Sequence, residues 1–444
     1  MFHLLNWIPG CRGPRYIRYH SEKSPPVIPD PHPTFPHAPP PRARPIPESH
    51  YQRRLIDEDF PQVFRLSSHD SRHQRYPMHK ETFEVTPSPP RHASPQPRVP
   101  RRENSRRTQG GGPSSPTRSN DSSRNNSAAR RRIADETLAA IERGEIKLQG
   151  SAYRFRDVIS HSIDNTLHFS PESILATWST FTPASPATVA AQLELCEGST
   201  LQRARTLLQE LNAGAAGDGG TPARVGVLSF ASATKPGGGF LSGAHAQEES
   251  LARASTLYAS LVTPTATHFY DYHKRDLRGG FYSHAMIFSP SVVVLRDDTG
   301  GWVPPYQIEV ITCAAVNAGV VRERAGNGTD PDTAARIEGV MRERMARILF
   351  LFEQQGIRNI VLGSFGTGVF RNDVSMIADI WFDLLAEQGA RFMHSFDRVV
   401  FGIIDKRTVE RFKAVFESRI EEQNSSTWDM ATSGTPRSVL RVVE

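Results

Sequence analysis

Between residues 224 and 404 short apolar, β-branched runs are interspersed with stretches of helical spacing. The runs are "RVGVLSFASA", "HAMIFSP", "SVVVLRD", "QIEVITCAA" (308–315 at its core), "NIVLGSF" (359–365) and "RVVFGII" (398–404). Helical patterns fall at 248–260, 332–355, 375–388 and 407–420, and in the second of these Ile337, Met341, Met345, Ile348 and Phe352 trace one face. Strands this continuous in apolar residues have no side to give to water. Alternating them with helices predicts a largely parallel sheet covered on both faces, an α/β fold.

The rest of the chain differs in kind. Residues 1–132 hold 23 of the 34 prolines and 23 Lys/Arg against 11 Asp/Glu, so this arm is basic by 12 charges while the whole chain is at only +6. "VIPDPHPTFPHAPPPRARPIP" favours polyproline II and "SRRTQGGGPSSPTRSNDSSRNNS" is low in complexity. Neither offers enough apolar surface to offset the entropy of ordering. The expected division is a disordered basic arm over 1–130, a folded region over 131–422 and a disordered tail over 423–444. Within the folded region, 131–220 reads as a helical accessory part and 221–422 as the core. "RRRIADETLAAIERGEI" carries an apolar helical face (Ile133, Thr137, Ala140, Ile141), and "PATVAAQLELC" with "TLQRARTLLQELNA" continues the helical pattern.

Three cysteines, Cys11, Cys196 and Cys313, are too few for a disulfide scaffold and point to a reducing compartment, nuclear or cytoplasmic. The acid-poor start with Arg12, Arg15 and Arg18 suggests a mitochondrial address as the alternative, although prolines and glycines interrupt any helix there. No run is long and apolar enough for a membrane span. No His/Cys/Asp cluster has metal-ligand spacing, so neither metal nor redox cofactor is expected. The arm's charge also suits weak binding to nucleic acid or another polyanion, or simply a solvated tail.

Two glycine-rich loops follow strands, where ligands bind in α/β sheets. The first contains Gly237, Gly238 and Gly239. The second is "GSFGTGVFRND", with Gly363, Gly366 and Gly368. Successive amides in such turns suit a diphosphate, although either loop alone also reads as a tight strand-to-helix turn. Neither has the Walker ending or the dinucleotide fingerprint. Phe370 suits stacking on a base or sugar, or a place in the core. Behind the first loop stand Gln247, Glu248 and Glu249. Acids opening a helix are good dipole partners in their own right. Beside a phosphate-type loop, one carboxylate can hold a sugar hydroxyl while the other, its pKa raised by burial or by its neighbour, protonates a glycosidic oxygen. His245 reads as a bystander.

"GGGFLSGAHAQEE" resembles the GGG-x(6–8)-QEE signature of poly(ADP-ribose) glycohydrolases. "VGVLSFASATKPGGGFLSGAHAQEESLARASTLY", "RRRIADETLAAIERG", "SHAMIFSPSVVVLRDDTG", "VITCAAVNAG" and "VLGSFGTGVFRNDV" are similar to the microbial-type branch over residues 131–420. The resemblance implies a macrodomain-like, three-layer α/β/α fold with a mixed, largely parallel sheet and an N-terminal helical extension. It implies hydrolysis of the ribose–ribose O-glycosidic bonds of poly(ADP-ribose), with that polymer and ADP-ribosylated proteins as partners, in a monomer. By it Glu249 is the catalytic acid, Glu248 holds ribose hydroxyls and Gln247 positions the pair. The substrate-binding positions are Ser232, Gly237, Gly238, Gly239 and Phe240 in the first loop. In the second they are Gly363, Ser364, Gly366, Thr367, Gly368, Val369 and Phe370. Two positions depart from the family pattern: Ser229 stands where an asparagine is common, and Thr367 where a cysteine is frequent. An ADP-ribose-binding module and a mono-ADP-ribosyl hydrolase are the alternatives. Two intact glutamates argue against the first.

Overall fold

The computed structural model describes residues 118–181, 189–215, 222–275, 279–326, 330–427 and 439–443. The expectations for residues 1–117, the leader and most of the basic arm, lie outside these. The described chain opens with α1 (Arg118–Arg143), the hairpin β1 (Glu145–Leu148) and β2 (Ser151–Arg154), α2 (Arg156–Asp164) and β3 (Leu167–Phe169). Next come β4 (Gln192–Glu197), α3 (Thr200–Ala215), β5 (Val225–Phe230), α4 (Gln247–Ala254), α5 (Leu257–Leu261) and α6 (Pro264–Arg275). β6 (Met286–Arg296), β7 (Trp302–Cys313), α7 (Ala318–Arg324), α8 (Pro331–Gln354) and β8 (Asn359–Leu362) follow. The chain closes with α9 (Val374–Leu385), β9 (Arg398–Ile403), α10 (Lys406–Thr427) and β10 (Val439–Val443).

Eight strands form one sheet in the order β10-β4-β9-β8-β5-β7-β6-β3. Every pairing from β10 to β7 is parallel, and β7–β6 and β6–β3 are antiparallel. The expected three layers, with a mixed and largely parallel sheet, are present. Side chains alternate across the strands into two cores. Leu228, Ile360, Leu362, Val399 and Phe401 meet α8, α9 and α10 on one face. Val225, Val227, Val361 and Val400 meet α3 and α6 on the other. Each such side chain, once fully buried, contributes about 1.5–3 kcal/mol, so both faces are needed.

Several local expectations are corrected. "HAMIFSP" and "SVVVLRD" are one eleven-residue strand, β6, with a register shift between Ser289 and Val292. Pro290 and left-handed Ser291 (φ 52°) form a bulge within the strand. The described part of "PATVAAQLELC", from Val189 on, is not helical: Gln192–Glu197 is β4, with Leu193 and Leu195 in one core and Cys196 in the other. Its buried Glu194 pairs with Arg398 of β9 at 2.6 Å. Because β4 lies inside the sheet, a boundary at residue 221 between accessory part and core cuts through the sheet.

The helix expected over 248–260 breaks at Ser255, which bridges to Val294, while Thr256 N–H donates to Val293 O at 2.9 Å. α1 begins at Arg118, earlier than the arm boundary at 130. α10 runs to Thr427, and β10 pairs with β4, so the tail expected to be disordered carries a strand. Cys196 and Cys313 are buried free thiols. Among the described residues no helix is long and apolar enough to cross a membrane.

Candidate active site

β5 and β8 are parallel neighbours, so the two glycine loops leave the same sheet edge side by side. Phe230, ending β5, packs on Phe365 of the second loop with ring centroids 5.5 Å apart.

In the first loop, three consecutive side chains stitch the start of α4 back onto the strand end. The Gln247 carboxamide caps β5: its Oε1 accepts from Phe230 N–H at 2.8 Å and its Nε2 donates to Leu228 O at 2.8 Å and to Thr200 Oγ1 at 3.2 Å. Glu248 Oε2 accepts from Ser232 N–H at 2.6 Å. Glu249 Oε1 accepts from Gly239 N–H at 2.9 Å. Both carboxyls crowd one glycine. A Cβ on Gly238 would stand 3.0 Å from Glu248 Oε2 and 2.9 Å from Glu249 Cδ, and the residue already sits at φ 61°. No other residue fits there.

The two acids differ in environment. Glu248 is 2% exposed and Glu249 is half-buried. Burial pushes the Glu248 carboxyl well above the usual carboxylate range. The neighbouring Glu249 charge pushes the same way, and the Ser232 and Gly237 amides push against it. Glu248 Oε1 is buried with no hydrogen-bond partner.

Phe240 is corrected. It was expected to touch substrate, but it is fully buried, 4.9 Å from the Tyr258 ring and packed with Ala134 and Ala252. Its ring anchors the loop from behind. Ser229 Oγ is likewise buried without a partner.

The second loop is held at its root and open at its tip. Trp381 Nε1 donates to Gly363 O at 3.2 Å, and Thr367 Oγ1 donates to Ser364 O at 3.0 Å. Asn372 Nδ2 donates to Val316 O at 2.7 Å and Gly366 O at 3.0 Å. Gly366 (φ 76°) lies against Ala315 and Asn372, whereas a Cβ on Gly368 would meet nothing within 4 Å. Val369 is 79% exposed. Phe370 is half-buried, 5.9 Å from Tyr282.

Sequence reasoning missed the supports. Arg130 Nε of α1 donates to Gly243 O at 2.7 Å, Thr137 Oγ1 donates to Arg253 O at 2.7 Å, and Arg253 Nη1 donates to Ala244 O at 2.6 Å. α1 therefore buttresses the acid-bearing loop. His245 Nδ1 lies 3.4 Å from Arg253 Nη2, and partial burial with the Arg253 charge lowers its pKa. Tyr282 (φ 54°) was also missed, although the preceding Gly279–Gly280 marks its turn. Buried Arg344 holds that turn through Phe281 O at 2.9 Å and ties it to Ala314 O, also at 2.9 Å. His273 beneath it, with its pKa brought down to about 4 by burial and then by Arg344, shares a 2.7 Å hydrogen bond with Ser283 Oγ.

A cavity of about 1060 Å³ adjoins α4, lined among others by Arg130, Thr200, His245, Gln247 and Ile404. Among the described residues no group of three or more His, Cys, Asp or Glu is placed to hold a metal.

The model of the microbial-type PARG catalytic domain matches residues 134–297. The crystal structure of poly(ADP-ribose) glycohydrolase from Thermomonospora curvata is 38% identical, covering 66% of this chain and 99% of that one, with a TM-score of 0.56. The chain belongs to the microbial-type poly(ADP-ribose) glycohydrolase family. The Thermomonospora curvata enzyme bound to the inhibitor ADP-HPD matches at 38% identity over 66% of this chain and 99% of that one, with a TM-score of 0.55. The Deinococcus radiodurans enzyme in complex with ADP-ribose is 30% identical, covering 62% of this chain and 99% of that one, with a TM-score of 0.50. No curated protein matches.

The family match ends at Asp297, just after β6, in the turn that leads to its antiparallel neighbour β7. The second glycine loop, carrying Gly363–Phe370, lies beyond it in sequence, and pairing of β8 with β5 returns it to the matched part.

Proposed function

We propose that this chain hydrolyses the ribose–ribose O-glycosidic bonds of poly(ADP-ribose) and releases ADP-ribose, with the unit from α1 to α10 as the catalytic domain. The observation that carries the reading is the pair Glu248/Glu249, pressed onto Gly238 at the mouth between two glycine loops. Membership in the glycohydrolase family supports it, as do relatives solved with ADP-ribose and with ADP-HPD.

Glu249, the more exposed acid, donates a proton to the leaving ribose oxygen as the bond to the anomeric carbon breaks. Positive charge develops on that carbon. The Glu249 carboxylate then takes a proton from the water that attacks it, which restores the acid. Burial makes Glu248, the ribose-holding neighbour, keep a proton more tightly than an exposed carboxyl does. Unpartnered Glu248 Oε1 suits a ribose hydroxyl. Gln247 fixes the pair against β5. Ser232 and Gly237–Gly239 line the sugar side. Gly363, Ser364, Gly366, Thr367, Gly368 and Val369 wrap the diphosphate, and Phe370 packs on sugar or base. Fixing the diphosphate holds the anomeric carbon in reach of the acid.

The test is incubation of the full chain with purified poly(ADP-ribose) and separation of products by size. Release of ADP-ribose is expected. An unchanged polymer overturns the reading. Long internal fragments as the main product overturn the monomer-releasing form of it.

A further inference from the structure

The oxygen released in the proposed cleavage belongs to the adenosine ribose of the next polymer unit. That unit therefore departs from Glu249, away from the loop that wraps the diphosphate. The cavity of about 1060 Å³ beside α4 adjoins this side. Gly363–Phe370 take no part in its lining, whereas His245, Ala246, Gln247 and Ser250 of the acid-bearing segment do. A short path joins it to the acid. A Cβ on Gly239 would stand 3.9 Å from Glu249 Oε1 and 2.8 Å from Ala244 Cβ, and Ala244 O accepts from Arg253 Nη1, in the cavity wall, at 2.6 Å. The volume is ample for a nucleotide-sized group.

Arg130 of α1 and Arg253 of α4 line this cavity from different elements. Among the described residues neither bonds to a carboxylate. Arg130 Nε donates to Gly243 O at 2.7 Å, and Arg253 donates to Ala244 O and, at 3.2 Å, to Ser250 Oγ. Arg253 is only 6% exposed, and a charge that deep is ordinarily paired. Burial lowers its pKa, the Arg130 charge lowers it further, and Glu249 opposes both. Two guanidinium groups that repel each other beside a cavity suit a bridging phosphate. A third, Arg296, is already paired with Glu136 at 2.8 Å. The acids of the lining, Glu197, Asp297 and Asp298, sit on other elements, the end of β4 and the β6–β7 turn. Asp297 accepts from Gly301 N–H at 3.0 Å and Asp298 from Ser199 Oγ at 2.6 Å. Ile404, 68% exposed, adds an apolar surface suited to a base.

We propose that this cavity receives the leaving unit of poly(ADP-ribose), with Arg130 and Arg253 on its diphosphate, so that each cleavage engages two units of the polymer. This rests on the glycohydrolase reading. The leaving ribose carries both a base and a diphosphate, so both lie close to the broken bond. The cavity offers cations beside the acid-bearing segment and an apolar surface at Ile404 for these two groups.

The test changes charge in the cavity without touching the acids or the two arginines. Ala129, exposed on α1 beside Arg130, lines the same cavity. The full chain is compared with Ala129→Glu and Ala129→Lys. KM for the dimer of ADP-ribose and for long polymer is measured at 50 and 200 mM salt, with Kd for free ADP-ribose. One phosphate contact corresponds to about threefold over that salt range. Ala129→Glu should raise KM for the dimer about threefold or more at 50 mM salt, and Ala129→Lys should lower it. The gap should narrow at 200 mM, and long polymer should respond as the dimer does. The ADP-ribose Kd should hold in both variants, because the terminal unit sits in the glycine loops. Equal KM values in the two variants overturn the proposal. So does an effect confined to long polymer, which would place the contact beyond the leaving unit. An equal shift in the ADP-ribose Kd also overturns it, by giving the cavity to the terminal unit. If either variant fails to fold, Ile404→Glu against Ile404→Lys repeats the comparison at the exposed rim. If the wild-type chain cleaves neither substrate, the glycohydrolase reading fails, and the Kd of the uncleaved dimer for the same proteins still decides for or against the cavity.

Discussion

The two glycine loops look alike in sequence and do opposite things. The first spends its amides inward: Phe230, Ser232 and Gly239 N–H groups bind Gln247, Glu248 and Glu249. The second anchors its root through Trp381 and Asn372 and leaves Gly368 and Val369 to solvent. Glycine in the first loop makes room for two carboxyls. At the tip of the second it makes room for nothing the protein itself supplies. A loop whose amides are already bonded is rigid and suits chemistry, while one with a free tip suits gripping a ligand.

The largest expected effect separates the loops by chemistry. Glu249→Gln keeps the Gly239 hydrogen bond but cannot deliver a proton. Turnover should fall at least about 10²–10⁴-fold, with ADP-ribose binding retained. Turnover, an ADP-ribose titration and a melting curve are needed. A residual rate above about a tenth would falsify the assignment of Glu249 as the acid.

Alanine at Gly238 and at Gly368 tests the steric half of the comparison. Gly238→Ala drives a methyl into the Glu249 carboxyl at a positive φ. A displaced acid costs about 10²-fold in rate. Gly368→Ala meets open space, so the rate should stay within a few-fold. Similar losses in both variants would mean that the loops do not differ in the way described.

A smaller effect belongs to the second loop alone. Phe370→Ala should weaken ADP-ribose binding by several-fold, since an aromatic contact contributes about 0.5–1.5 kcal/mol beyond its area. Calorimetry gives the Kd. A fall in kcat with the Kd unchanged would move Phe370 from gripping to chemistry.

The smallest effect is on stability. Glu248 has its folded pKa raised above the ordinary value of 4.5. A raised folded pKa means that the folded state binds the proton more tightly. The associated stability is therefore complete below about pH 4.5 and is lost as pH rises through the folded value. The wild-type melting temperature should decline from acid toward alkaline pH, and Glu248→Gln should flatten that decline. Melting curves across pH 5–9 check this. A steeper slope in the variant would mean that Glu248 is not the group responsible.

The alternating apolar runs by themselves determined the layered α/β class, because strands buried on both faces leave no other arrangement. The spacing of Gly237–Gly239 and Gln247–Glu249 likewise determined the family resemblance, because a tight turn and two acids at a helix start are local features. Only the tertiary structure decided what depends on partners distant in sequence. β4 is a strand because β9 and β10 flank it, and its helical spacing has no say against two parallel ladders. Phe240, apolar and next to the glycines, reads as a ligand contact until Ala134 of α1, more than a hundred residues earlier, closes over it. Two adjacent glutamates are equivalent in the sequence. Burial under the first loop separates them, because desolvation depends on what the rest of the chain packs around a carboxyl.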